Sequence, residues 1–173
     1  MKTPNQLYLE VRDFHPDEII QYLADHEDVP TADAQERWDE MLKFLVLCVT
    51  GRDAHAPSAL VDTAWHAFVL HTERYEAFCL AHLGRFIHHR PMPNPVAQFQ
   101  NSLEEVFTSF PDSPVRKHLW LPAGASSDRD LSLVGDCEDG GSQCIGECAE
   151  VGCHRVTSRR TEPLPALVAF SAA

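Results

Sequence analysis

Between Val61 and Pro91 the chain reads VDTAWHAFVLHTERYEAFCLAHLGRFIHHRP. This stretch holds His66, His71, His82, His88 and His89, five of the ten histidines, together with Asp62, Tyr75 and Cys79. Imidazole, carboxylate and thiolate are the donors that borderline metals such as zinc or iron take. Asp62 and His66 lie four residues apart, which puts them on one helix face one turn apart. Either the carboxylate orients the imidazole as an outer partner of a bound metal, or both bind the ion directly. His71, Tyr75 and Cys79 repeat the step of four, and His82 follows three further on. The pair His88-His89 sits between Gly84 and Pro91, where a loop can fold back over two helices and add an imidazole. The candidate ligands are therefore Asp62, His66, Tyr75, His88 and His89. Each also has an ordinary use: Tyr75 can hydrogen-bond a helix end, Cys79 can be an inert buried thiol, and a histidine can tie a loop to a helix.

Helices must position these groups. Pro16, Asp17 and Glu18 suit the start of a short helix over His15 to Asp25, with Ile19, Ile20 and Leu23 on its apolar side. Trp38, Met41, Leu42, Leu45, Cys48 and Val49 form a helical stripe from Thr31 to Thr50, ended by Gly51. Ser58 can cap a helix running to Leu70 or His71. Thr72 is a second cap, so the chain either kinks near His71 or starts a new helix there, ending at Gly84. A further helix runs from Pro95 to Phe110 on Val96, Phe99, Leu103, Val106, Phe107 and Phe110, and a short turn is expected over Val115 to Trp120. No segment alternates with a strand period. The expected fold is all-α, a helical domain of about four to six helices over residues 1–120, followed by a Cys/Gly/Ser/Pro-rich segment over 121–173.

Twenty-six acidic residues against fourteen basic ones give a net charge of -12. Such a surface repels nucleic-acid phosphates, so no nucleic-acid partner is expected. No apolar run is long enough to span a membrane. The first residues lack the apolar core of a secretory signal, which makes the cytoplasm the expected location.

A second set of donors lies in CEDGGSQCIGECAEVGCH: Cys137, Cys144, Cys148 and Cys153, followed directly by His154. Four glycines let this backbone wrap tightly. The paired Cys-x-x-Cys spacing of a zinc ribbon is missing. The set is a second candidate metal site, a surface for a protein partner, or the core of a modified peptide released from the C-terminal segment.

Asp62-x-x-Trp65-His66, Leu70-x-Thr72-x-x-Tyr75-x-x-Phe78-Cys79, Gly84 and His88-His89-x-Pro91 together resemble the glycine-rich domain-containing protein-like family. The likeness covers about residues 30 to 120. It implies a helical domain with a polar or metal centre at Asp62, His66, Tyr75 and His88 or His89. That family often has a second histidine two positions after the first; here that position is Phe68. The resemblance supplies no substrate.

The sequence reading is thus a zinc- or iron-binding helical protein of unknown reaction. Its rivals are a non-catalytic interaction module with structural histidines, and the peptide precursor.

Overall fold

The computed structural model describes residues 2–90 and 95–121. Its described elements are helices, with no strand among them. Helices α1 (Pro4–Val11), α2 (Asp17–Glu27), α3 (Thr31–Thr50), α4 (Ala59–Leu70), α5 (Thr72–Phe78), α6 (Val96–Ser109) and α7 (Lys117–Trp120) follow in order, and α5 runs on into a π-helical turn, Cys79–Leu83. Seven α-helices among the described residues exceed the four to six expected. Much of the excess is local. Helix α1 was not anticipated, although Thr3 and Gln6 form a reciprocal capping box that starts it, with Pro4 behind the cap. Among the described residues no helix is long and apolar enough to cross a membrane. Cys137, Cys144, Cys148, Cys153 and His154 lie outside the described residues, as does Pro91.

Helix α3 is the central column, packed against α1, α2, α4 and α6. Its middle is buried all round: Trp38, Met41, Leu42, Phe44, Leu45, Val46 and Leu47 are all within the core. A helix surrounded on every side has no solvated face to spare, and two charged residues are enclosed with the apolar ones. Glu40 and Lys43 pair at 2.7 Å. Glu40 also accepts from the Trp120 indole at 2.9 Å and the Arg116 backbone at 3.2 Å, and Lys43 donates to the Pro114 carbonyl at 3.1 Å. The hydrogen-bond partners beyond the pair come from residues 114–120, so this enclosed polar group fastens α7 to α3, while Lys43 also stands over the Tyr8 ring of α1 at 5.4 Å. Cys48, expected in the buried stripe, is partly buried, and its thiol is pushed up to about 12 by burial.

The α4–α5 break lies at His71, with φ -90° and ψ 61°, one residue before the expected cap. The His71 ring takes the helix-end role itself, its Nδ1 lying 2.8 Å from the Ala67 carbonyl. Gly84 ends the π-helical turn at φ 75°, a left-handed geometry that a residue without Cβ adopts at little cost. From there residues 85–90 run back to the first turns of α4.

Candidate functional site

Ser58 fixes where α4 begins. Its hydroxyl accepts from the Val61 amide at 3.2 Å and donates to the Leu119 carbonyl at 2.6 Å. Asp62 then falls in the first turn, only 5% exposed. His66 follows one turn later. Its Nδ1 lies 3.0 Å from the Asp62 carbonyl and 3.2 Å from Asp62 Oδ2.

The third member arrives from the loop. His89 Nε2 lies 3.3 Å from Asp62 Oδ1. Its ring packs on Trp65, centroids 4.4 Å apart, and on His66 at the same separation. Trp65 is thus both a platform for His89 and a donor: its indole N–H reaches the Tyr75 hydroxyl at 3.0 Å. The Tyr75 hydroxyl in turn donates a hydrogen bond to the Ile87 carbonyl at 2.7 Å, pinning the loop two residues before His89. Trp65 and Ile87 were not among the sequence candidates, because a tryptophan at core spacing looks like ordinary packing.

The structure therefore brings Asp62, His66 and His89 together. One ligand atom from each lies within 4.8 Å of the others, a group able to hold a metal ion. Tyr75 sits in the adjoining latch with its hydroxyl engaged by Trp65 and Ile87. His88, the other loop histidine, packs its ring on Phe86 with centroids 4.9 Å apart. His71 packs edge-on against Tyr22, and His82 lies against Phe14 and Phe78, so both diverge from the Asp62 group, while the Cys79 thiol lies against Tyr75 and the Ile87 backbone of the latch.

Electrostatics follow from this geometry. Burial pushes the Asp62 carboxyl up, but hydrogen bonds and charge from His66 and His89 outweigh it and hold it below its usual range. Burial pushes His66 down, while the Asp62 hydrogen bond and charge, with a smaller contribution from Glu27, carry it above its ordinary value. Glu27 is itself held by Arg37 at 3.0 Å, and Arg37 also donates to Thr63 at 3.1 Å, on the α4 turn that carries the site.

A cavity of about 410 Å³ opens beside the cluster. Asp62 and His89 border it, Phe44, Trp65 and Ile87 form its apolar wall, and Arg85 and Arg90 stand among its lining residues.

The fold and site define an all-α domain with a partly buried aspartate–histidine centre beside an amphipathic cavity. Residues 5–114 match the model of the UCP032817-like family, and the chain belongs to that family. No curated protein and no solved structure matches the chain.

Proposed function

We propose that this chain is a metal-binding protein whose Asp62, His66 and His89 hold one zinc or iron ion. The observation that carries the reading is the convergence of three ligand atoms within 4.8 Å from two separate elements. His66 lies 3.2 Å from Asp62 Oδ2 and His89 3.3 Å from Asp62 Oδ1, so the two imidazoles flank different oxygens of the carboxylate. Ligands at about 2.0–2.1 Å from a tetrahedral ion lie about 3.3 Å apart. Two imidazoles and one carboxylate form a donor set that zinc and non-haem iron both accept, and three protein ligands leave a coordination position open. With an ion in place, that position would supply activated water or dioxygen.

The rest of the chain supplies the frame. Tyr75 acts as the positioning residue for His89, through Ile87. His88 and the cavity lie where a molecule would approach. Elemental analysis of protein purified without added metal tests the reading. Stoichiometric zinc or iron is expected in wild type, with loss in Asp62→Ala and His66→Ala that remain folded by circular dichroism. Well-folded wild type without metal would refute it.

A second reading rests on one observation: Asp62 already bridges His66 and His89 through hydrogen bonds. The cluster then fastens the loop to α4 in a non-catalytic interaction module, and metal-free wild type would have the same stability as protein given zinc.

A further inference from the structure

We propose that the cavity beside Asp62 and His89 binds a small organic anion, a carboxylate with an apolar body, whose charged group is received by Arg85 and Arg90. This extends the metal reading by naming the class of molecule that would reach the ion, yet the arginine contact stands without it.

Size comes first. A cavity of about 410 Å³ falls in the range of clefts that enclose small molecules, about 300–1,000 Å³. The wall chemistry is divided. Phe44, Trp65 and Ile87 offer an aromatic and aliphatic surface for an apolar body. Arg85 and Arg90 are both exposed and both line the cavity, with Asp53 as the acidic residue among the exposed lining groups.

Charge then selects the ligand. The chain carries 26 acidic residues against 14 basic ones, so two guanidinium groups within six residues run against the surrounding surface. Arg85 is also oriented, because one of its amino groups donates to the Cys48 carbonyl. A planar guanidinium presents paired donors that match both oxygens of a carboxylate. A neutral ligand would leave that match unused. A cation would meet the two guanidinium groups, with Asp53 and Asp62 as the opposing carboxylates of the lining.

Calorimetric titration of acetate, phenylacetate and 3-phenylpropionate, each against its neutral amide, tests the proposal. The titrations use the full chain, once with chelator and once loaded with zinc. In chelator, at least one aryl acid is expected to bind about tenfold or more tighter than its amide, the scale of a charge-assisted hydrogen bond. Acetate is expected to bind more weakly for want of an apolar body. Arg90→Gln, on an exposed side chain, should weaken acid binding without changing amide binding or the melting temperature. Arg85→Gln should weaken it further. Failure of both zinc and iron(II) to bind, with the acid–amide difference intact, would refute the metal reading and leave this one standing. Equal affinity for acid and amide, no acid binding at all, or wild-type acid affinity in both variants would overturn it.

Discussion

The Trp65 indole and the Tyr75 hydroxyl are joined at 3.0 Å, and this bond links the helix bearing Asp62 and His66 to the loop bearing His89. The hydroxyl is shared, since it also donates to the Ile87 carbonyl. Tyr75→Phe would leave an indole N–H and a carbonyl without that partner. Stability is expected to fall by about 1–3 kcal/mol, the cost of unsatisfied buried groups. Zinc affinity should fall about ten- to a hundredfold, as for other residues that orient a ligand. Urea denaturation and a competitive zinc titration check the two effects together. An unchanged zinc affinity would show that the latch does not position His89.

Proton binding and metal binding should compete at His66. Its imidazole is held above its ordinary value, about 6.5, by the Asp62 carboxylate against the pull of burial. An ion needs the neutral ring. Zinc affinity is therefore expected to rise with pH through and above about 6.5. In chelator the sign reverses for His66: its contribution to stability is full below the ordinary value and is lost as pH rises through the folded one. Asp62, held low, contributes above its ordinary value of about 3.9 and loses that contribution as pH falls through the folded value. Melting curves across pH with zinc and with chelator should therefore diverge toward alkaline pH.

His55 gives an acid-side dependence of its own. Its side chain is buried and its Nε2 has no hydrogen-bond partner, while Glu105 lies 3.6 Å away. Burial holds the ring below its ordinary value despite Glu105 and Asp53. The neutral ring is the folded form, so stability is full above about pH 6.5 and declines as pH falls toward the folded value. His55→Leu should flatten that decline in a series of urea melts from pH 7 to 5.

Gly51 tests the same packing from the other side. A Cβ there would stand 2.3 Å from His55 Nε2 and 2.9 Å from the Leu47 carbonyl. Its backbone is extended, at φ -68°, so the obstacle is space. Gly51→Ala is expected to cost about 1–3 kcal/mol, as overpacking does, measured by urea denaturation.

The Glu40–Lys43 pair should be strongly coupled. Lys43→Met alone leaves an enclosed carboxylate with fewer partners and is expected to cost about 3–5 kcal/mol. Glu40→Leu combined with Lys43→Met should cost less than the sum of the single changes. A double-mutant cycle by urea denaturation checks this, and additivity would refute the coupling.

Element type was legible because α3, α4 and α6 write their apolar stripes at helical spacing, and Ser58 and Gly84 mark ends by their chemistry. Helix α1 was missed because the capping box at Thr3 and Gln6 precedes only eight residues. Glu40 and Lys43 were hidden for a different reason: periodicity separates apolar from polar positions and cannot show charges buried by a distant segment. At the site, the four-residue step placed Asp62 and His66 together. The choice between His88 and His89 depended on the return path of the loop, which Tyr75 sets by holding Ile87. The ordinary expectation was a bond from Tyr75 to a helix end; its hydroxyl instead meets the Trp65 indole and the Ile87 carbonyl of the loop.

The contacts around Asp62 are nested along the chain. Trp65 meets Tyr75 across 10 positions, Tyr75 meets Ile87 across 12, and Asp62 meets His89 across 27. Once the two inner bridges have formed, about seven links separate Asp62 from His89, five along the chain and two across the bridges, which lowers the entropic cost of closure by about 1.2 kcal/mol. The outermost contact is thereby favoured to zip last in folding, and a breach of the inner bridges would unzip it.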